Sequence, residues 1–196
     1  LTSGENGVVK LWHVASGSNL QLRGHFKRVI GCTFSPMGEM LCTCSIDNTL
    51  RLWNTDGGDC LMTLEGHKEK VTCATFDQKG RVLCSGSADK TVKLWRIMDG
   101  RCTATLKGLP SGATACAMGV LGPNKIPAVA CGTQDGLVAI FNTEKSKLVS
   151  RLSAHTKGIR QVMFNPVKSD LLCSLSDDQS IRLWNAASGT HLQVVD

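Results

Sequence analysis

The sequence predicts an all-β protein built from repeated four-stranded sheets, and three observations point to it. A segment ending in Leu-Trp recurs at residues 6–12, 47–53, 89–95 and 178–184, and a weaker copy ends in Ile140-Phe141. Successive terminal aromatic residues lie 41, 42, 46 and 43 residues apart. Short alternating apolar and polar runs, divided by turn residues, fill each interval. A period of about 40–45 residues is typical of repeat units that support one another.

Each repeat can be divided into four strands by its hydrophobic alternation. The sequence predicts strands over 29–34, 40–44, 49–53 and 60–64 in the second unit, and over 71–76, 82–85, 91–95 and 102–106 in the third. Strands of about five residues joined by short polar turns form antiparallel meanders. A single sheet of this kind cannot bury both faces, so the units must stack radially, as the blades of a β-propeller do.

The repeats resemble those of the WD40 family, and the resemblance covers the whole chain. Its motif is a Gly-His pair followed about 30 residues later by a Trp-Asp-like pair. The matching positions are Gly24-His25 with Trp53-Asn54, Gly66-His67 with Trp95-Arg96, and Ala154-His155 with Trp184-Asn185. The Asp after Trp is missing from every copy, but that position varies within the family. The resemblance therefore implies a WD40 β-propeller.

Five repeat units are visible, and the first lacks its innermost strand. We expect blades near residues 1–22, 23–64, 65–106, 107–152 and 153–196, with Leu1-Thr2 aligned to the second strand of the first blade. Because WD40 propellers commonly close with about seven blades, we expect the chain to be part of a larger ring that further blades of the same polypeptide complete. A self-closed ring of five blades is the alternative.

The resemblance also implies a hydrogen-bonded tetrad of His, Ser or Thr, Asp and Trp in three blades. The matching sets are His25, Thr43, Asp47 and Trp53; His67, Ser85, Asp89 and Trp95; and His155, Ser174, Asp178 and Trp184. Such a chain would satisfy several buried polar groups together. The same residues resemble catalytic triads, but one copy per repeat indicates a structural role. No nucleotide-binding or metalloprotease motif is present, so we expect no catalytic, cofactor or metal site.

The fourth unit departs from the pattern at several tetrad positions. Leu109 stands in place of His, Cys131 in place of the hydroxyl residue and Phe141 in place of Trp, and only Asp135 remains. The interval from residue 109 to 135 is also longer than its counterparts. The sequence predicts a loop at 122–127, since prolines and a glycine lie there. Neutral drift and a loop that reaches a partner are both compatible with these changes.

Composition restricts the class of protein further. The hydrophobic content of 42% supports a core, the net charge is +6, and no apolar run is long enough for a transmembrane helix. The ten cysteines do not form paired zinc-binding motifs. Cys42, Cys84 and Cys173 recur at one strand position, and Cys60 and Cys102 at another, so we expect them to be free thiols in the core. A cytoplasmic or nuclear location follows.

The expected function is a non-catalytic scaffold for protein–protein interaction. By resemblance, partner peptides or domains contact the face formed by the Gly-His loops and by the turns before each tetrad Asp. The candidate partner-binding rim comprises Lys27, Arg28, Ile30, Ile46, Lys68, Lys70, Thr72, Gln134, Lys157, Arg160 and Asp177. Its cations favour an acidic or phosphorylated partner.

Two other functions remain open. RNA binding in a ribonucleoprotein would use the same cations, although Phe26 is the only obvious aromatic side chain there for base stacking. A substrate receptor of a ubiquitin ligase is a weaker alternative. That subset carries Trp-Asp-x-Arg, and no Trp of this chain is followed by Asp or has Arg or Lys three residues on.

Overall fold

The computed structural model describes residues 2–195, all of whose regular structure is β-strand. Leu1 and Asp196, which belong to the predicted first and last units, lie outside the described residues. Five antiparallel sheets follow one another along the chain, each with its strands in sequence order. The first has three strands and the other four have four each. No helix occurs among the described residues, so none of that part can cross a membrane as a helix.

The strands are short and their bounds repeat from sheet to sheet. The first sheet contains β1 (Thr2–Ser3), β2 (Val9–Trp12) and β3 (Asn19–Leu22). The second contains β4 (Val29–Phe34), β5 (Met40–Ser45), β6 (Leu50–Asn54) and β7 (Cys60–Leu64), and the third β8 (Val71–Phe76), β9 (Val82–Ser87), β10 (Val92–Arg96) and β11 (Cys102–Leu106). The fourth contains β12 (Ala113–Leu121), β13 (Ile126–Thr133), β14 (Leu137–Asn142) and β15 (Lys147–Ser153), and the fifth β16 (Ile159–Phe164), β17 (Leu171–Ser176), β18 (Ile181–Asn185) and β19 (Thr190–Val195).

Hydrophobic clusters lie between successive sheets. Val9 and Leu22 of the first sheet meet Val29, Leu41 and Trp53 of the second. Three further clusters join the second sheet to the third, the third to the fourth, and the fourth to the fifth. The sheets also pack through their first strands, β4 against β8, β8 against β12 and β12 against β16. Both faces of an interior sheet are therefore buried, which is the blade stacking of a β-propeller.

In the fourth sheet, part of the segment that the sequence predicted to be a loop is strand. Strands β12 and β13 have nine and eight residues, against six in the corresponding strands of the second, third and fifth sheets. The turn is confined to 122–125, and Ile126 and Pro127 belong to β13. The predicted loop at 122–127 was therefore two residues too long, because its first four residues form the turn and its last two begin β13. Pro127 is tolerated because it lies next to the hairpin end, where its missing N–H removes at most one ladder bond.

Two cysteines that the sequence predicted to lie in the core are exposed. Cys42, Cys84 and Cys131 are buried and Cys173 is half-buried, but Cys60 and Cys102 are exposed. The latter two begin β7 and β11, which are the last strands of their sheets. The two cysteines recur in the sequence because they occupy the same position in successive sheets. That position is exposed because it lies on the outermost strand of each sheet.

The turns after Asp47 and Asp135 pack on the loop of the following blade, through Asn48 and Gly136. Asn48, Lys90, Gly136 and Gln179 occupy this turn position, and all have a positive φ. A Cβ atom at Gly136 would lie 2.7 Å from the carbonyl oxygens of both His155 and Lys157. Glycine is therefore required at residue 136 by its backbone conformation and by the close approach of the fifth blade.

We expect Gly136→Ala to lower the free energy of unfolding by about 2–4 kcal/mol, because a left-handed alanine also meets backbone that cannot move aside easily. The matched control is Gln179→Ala, since Gln179 is exposed, has a φ of 71° and already carries a Cβ. That control should change stability by less than about 0.5 kcal/mol. Urea denaturation of both variants measures the difference, and equal effects would contradict the close approach.

Candidate functional site

A continuous chain of hydrogen bonds crosses the second blade beneath its loops. The Trp53 indole N–H donates to Thr43 Oγ1 over 2.8 Å, and that oxygen lies 2.7 Å from Nε2 of His25. His25 Nδ1 lies 2.8 Å from Oδ2 of Asp47. The side chains of His25 and Asp47 are 0% and 6% exposed. The structure thus brings the four residues of this set together in a nearly dry site.

The third and fifth blades contain the same chain with nearly the same geometry. His67 lies 2.9 Å from Asp89 and 2.8 Å from Ser85, and Trp95 donates to Ser85 over 2.8 Å. The corresponding distances in the fifth blade are 2.9 Å for His155 and Asp178, 2.8 Å for His155 and Ser174, and 2.8 Å for Trp184 and Ser174. Three copies within 0.1 Å indicate one structural device used repeatedly.

The protonation of the tetrad follows from burial and hydrogen bonding. Burial lowers the pKa of His25 and His67, and this outweighs the raising effect of the neighbouring carboxylates. Burial by itself raises the pKa of Asp89, but hydrogen bonds from Thr91, the Lys68 backbone and His67 outweigh it and lower that pKa to about 2. A neutral imidazole therefore donates from Nδ1 to an ionised carboxylate and accepts the hydroxyl proton at Nε2.

The tetrad carboxylate holds two loops in place. Its Oδ2 accepts the backbone N–H of the residue after each His, namely Phe26, Lys68 and Thr156, over 2.9–3.1 Å. Its Oδ1 accepts the N–H of Thr49, Thr91 or Ser180 in the turn that follows, over 3.0 Å. Each Asp thereby fixes the Gly-His loop to the turn between the second and third strands. Most residues of the candidate partner-binding rim lie on these two segments.

The hydroxyl groups are not arranged as nucleophiles. Thr43, Ser85 and Ser174 are each 0% exposed and bonded to both His and Trp. A nucleophile needs access to substrate, and a buried hydroxyl with both neighbours satisfied has none. The geometry supports a structural role for all three.

The fourth blade replaces the tetrad with apolar packing. Leu109, Cys131 and Phe141 are buried in one hydrophobic cluster. Asp135 is exposed and instead accepts hydrogen bonds from the hydroxyls of Ser111 and Thr133. The three replacements are consistent with one another, because removing every partner together leaves no buried polar group unsatisfied.

Most of the predicted rim residues lie on the loops and turns that the tetrads fix. The exceptions are Ile30, Thr72 and Arg160, which lie at the starts of β4, β8 and β16, and Gln134, which lies in a turn of the fourth blade. Nine of the predicted rim residues are exposed, namely Lys27, Arg28, Ile30, Lys68, Lys70, Gln134, Lys157, Arg160 and Asp177. Ile46 and Thr72 are half-buried. The single hydroxyl proton of Thr72 is shared between the carbonyls of Gly86 and Ala113, so this residue joins two blades as well as facing the rim.

Charge is distributed unevenly around the rim. Arg160 Nε donates to Oδ1 of Asp177 over 2.5 Å, so that its charge is partly neutralised. Within residues 2–195 Lys157 of the fifth blade has no ion pair with a carboxylate, and neither have Lys27, Arg28, Lys68 and Lys70 of the second and third blades. We call these four residues the basic segment. It belongs to the second and third blades, and the cations predicted from sequence therefore do not form a uniform ring.

Two residues of this face were not among the predicted site residues. Thr114 and Gly158 line a cleft together with Gln134, Arg160 and Asp177. The sequence could have indicated them, because Thr114 and Gly158 occupy the repeat positions of the rim residues Thr72 and Lys70. Among the described residues, no group of three or more His, Cys, Asp or Glu side chains is placed to hold a metal ion.

Comparison with known proteins identifies the family. The model described as WD40, "WD domain, G-beta repeat", matches residues 16–54, 58–96 and 146–185. Each match ends on the residue after a tetrad Trp. The chain therefore belongs to the WD40 repeat family.

Curated relatives share the repeats over different lengths. The chain is 37% identical over 181 residues to "Periodic tryptophan protein 2 homolog" of Mus musculus, covering 91% of this chain and 19% of that protein. It is 38% identical over 66 residues to "WD repeat-containing protein 26 homolog" of Drosophila melanogaster, covering 32% of this chain and 10% of that protein. It is 25% identical over 185 residues to "Apoptotic protease-activating factor 1" of Mus musculus, covering 94% of this chain and 14% of that protein. The chain thus spans less than a fifth of the length of each.

Removing a tetrad hydroxyl should destabilise the fold much more than removing its apolar counterpart. Ser85→Ala leaves His67 Nε2 and Trp95 Nε1 buried without a partner, at a cost of about 2–4 kcal/mol. Cys131→Ala also removes one heavy atom from a buried position but leaves no such group, and should cost about 1 kcal/mol. Thermal and urea unfolding compare the two variants. Similar losses would show that the hydrogen bonds contribute little.

Stability should fall as the pH is lowered from about 6.5. The folded histidines of lowered pKa stay neutral while their unfolded counterparts take up protons, so stability present above pH 6.5 is lost at up to about 1.4 kcal/mol per histidine for each pH unit. A second loss should begin near pH 4, where Asp89 becomes protonated in the unfolded state while its folded pKa is about 2.

Urea denaturation between pH 8 and pH 3 measures these two steps. The matched variant gives the third blade the residues of the fourth, as His67→Leu, Ser85→Cys and Trp95→Phe together. This variant should show a shallower first step, because one of the two neutral histidines is gone. An unchanged slope in the variant would rule out His67 as a source of the pH dependence.

Proposed function

We propose that the chain is a non-catalytic interaction scaffold whose basic segment binds an acidic or phosphorylated peptide of a protein partner. The observation that carries this proposal is the exposure of Lys27, Arg28, Lys68 and Lys70 on loops fixed by the tetrads. WD40 proteins typically act as scaffolds within complexes, which agrees with a face built for contact. Ten free cysteines favour a reducing compartment, the cytoplasm or the nucleus.

The basic segment is a single surface because the two loops are joined. The Asn48 side chain, in the turn of the second blade, donates to the backbone carbonyl of Lys68 in the third. Ile46 N–H donates to the carbonyl of Arg28, and Ala88 N–H donates to that of Lys70. The Ser45 hydroxyl donates to the carbonyl of Lys27. The backbone beneath all four cations is thus hydrogen-bonded, so little ordering is needed when a partner binds.

The side-chain chemistry favours carboxylate or phosphate groups. Arg28 can give two parallel hydrogen bonds to such a group, and the lysines contribute point charges. Ile30 is exposed beside Arg28, and Ile46 is half-buried between the loops, so an apolar side chain of the partner would find contacts next to the cations. A peptide that alternates acidic and apolar residues fits this surface best.

RNA would meet the same cations but few stacking platforms. Phe26 is 85% exposed and adjoins Lys27, whereas the equivalent positions of the other blades hold Lys68, Pro110 and Thr156. Binding of single strands normally uses successive aromatic platforms along a basic groove. One aromatic residue therefore favours peptide over RNA, and RNA binding becomes an outcome of the test.

Charge reversal of Arg28 and Lys70 to Glu in the intact protein should weaken peptide binding at least about tenfold, because attraction becomes repulsion at two contacts. The probes are a fluorescein-labelled peptide of alternating Glu and Ile, its counterpart with phosphoserine in place of Glu, and an oligouridylate. Fluorescence anisotropy over a range of salt concentrations gives the affinity of each.

The matched control reverses Lys79 and Lys168, which are exposed on turns at the opposite ends of the strands and change the net charge equally. If both double variants weaken binding alike, the basic segment is not the site. If the oligouridylate binds more tightly than either peptide, with an affinity that falls steeply with salt, the protein binds RNA and the proposal fails.

A further inference from the structure

The rim of the fourth and fifth blades differs in shape and charge from the basic segment. A cleft of about 370 Å³ opens there, lined chiefly by Thr72, Thr114, Gln134, Gly158, Arg160 and Asp177. Its volume is within the range of small-ligand sites, so it can take a side chain together with adjoining backbone. The basic segment lies outside this lining.

Two glycines leave the space open. Gly112 and Gly158 occupy the positions that Arg28 and Lys70 hold in the second and third blades. A Cβ at Gly158 would lie 3.1 Å from the Gln134 carbonyl oxygen and 3.6 Å from a carboxylate oxygen of Asp177. A Cβ at Gly112 would lie 3.6 Å from the Gln134 amide carbon. A long side chain at either glycine would therefore lie against the cleft lining.

The charged groups of the cleft compensate each other. Arg160 Nε donates to Asp177, and the two side chains are 73% and 42% exposed. The remaining guanidinium N–H groups of Arg160 and the second carboxylate oxygen of Asp177 have no hydrogen-bond partner within the described residues. An incoming ion of either sign would meet a like charge as well as an opposite one.

The uncharged lining groups both donate and accept hydrogen bonds. Gln134 is exposed and offers an amide. The Thr114 hydroxyl is buried without a hydrogen-bond partner, in contrast to the Thr72 hydroxyl, which donates to Gly86 and Ala113. Rotation about the Cα–Cβ bond of Thr114 can turn its hydroxyl toward a bound group without breaking any hydrogen bond. A buried hydroxyl without a partner lowers the stability of the protein, and a ligand that hydrogen-bonds to it removes that cost.

We propose that this cleft binds an uncharged primary amide, the side chain of Asn or Gln in a partner peptide. An amide carries a carbonyl acceptor next to an N–H donor, which matches the adjacent donor of Arg160 and acceptor of Asp177. The inference rests on the proposed function, because both assign this face of the blades to partner peptides. It adds that the partner presents an amide residue beyond its acidic segment.

Ligand-observed saturation-transfer NMR on the intact protein tests the cleft without the basic segment. The probes are the N-acetyl methylamides of glutamine, glutamate and lysine, which share backbone and approximate length. We expect transfer to the glutamine probe to exceed that to both charged probes several-fold. Equal transfer to all three, or stronger transfer to a charged one, overturns the inference.

Two variants locate the binding. Gly158→Lys restores the side-chain class of the third blade and should abolish transfer to the glutamine probe. Thr114→Val keeps the shape but removes the hydroxyl, and should weaken binding about threefold to tenfold while leaving stability unchanged or higher. Thr72→Val, at the other threonine of the lining, should instead lower stability, since its hydroxyl joins two blades. Undiminished transfer in Thr114→Val overturns the inference even if Gly158→Lys does not fold.

The outcomes separate this inference from the proposed function. Binding of the acidic peptide without selective transfer to the glutamine probe leaves the function standing and removes the cleft assignment. Selective saturation transfer to the glutamine probe without binding of the acidic peptide contradicts the proposal of an acidic partner and supports the amide site.

Discussion

In the second blade the buried Thr43 hydroxyl accepts a hydrogen bond from the Trp53 indole and donates one to neutral His25, which in turn donates to an ionised Asp. The rest of the face depends on this chain, because the same carboxylate also binds the backbone of the Gly-His loop and of the following turn. Burial keeps the imidazole neutral, and the surrounding donors keep the carboxylate charged. Side chains that are almost entirely buried thus hold an exposed loop in place.

Stacking the blades extends that local order across the molecule. Each hydrophobic cluster takes residues from two successive sheets, so an interior blade buries its faces only against its neighbours. The fourth blade shows that the tetrad can be replaced, provided that all of its polar members other than Asp135 are replaced together by Leu109, Cys131 and Phe141. Its neighbours supply the packing, and the loop that Asp135 would otherwise fix is held instead through Ser111.

The rim combines two kinds of surface on one scaffold. Four cations of the second and third blades face solvent without carboxylate partners in the described part of the chain, whereas Arg160 of the fifth blade is engaged by Asp177. Gly112 and Gly158 stand where the second and third blades have Arg28 and Lys70, so this part of the rim has a cleft in place of further cations. A change of residue at one repeated position therefore alters both charge and shape, while the backbone beneath is unaffected.

The sequence by itself determined the repeat, the strands of the second and third blades to within two residues at their ends, and the family. It could do so because period, alternation and the Gly-His to Trp spacing are local properties of the chain. Only the tertiary structure decided that 122–127 extends a hairpin, that Cys60 and Cys102 face solvent, and that Arg160 is paired with Asp177. These outcomes depend on which strand lies at the edge of a sheet and on contacts between residues far apart in sequence. No local pattern encodes such contacts, because they arise only when the blades are stacked.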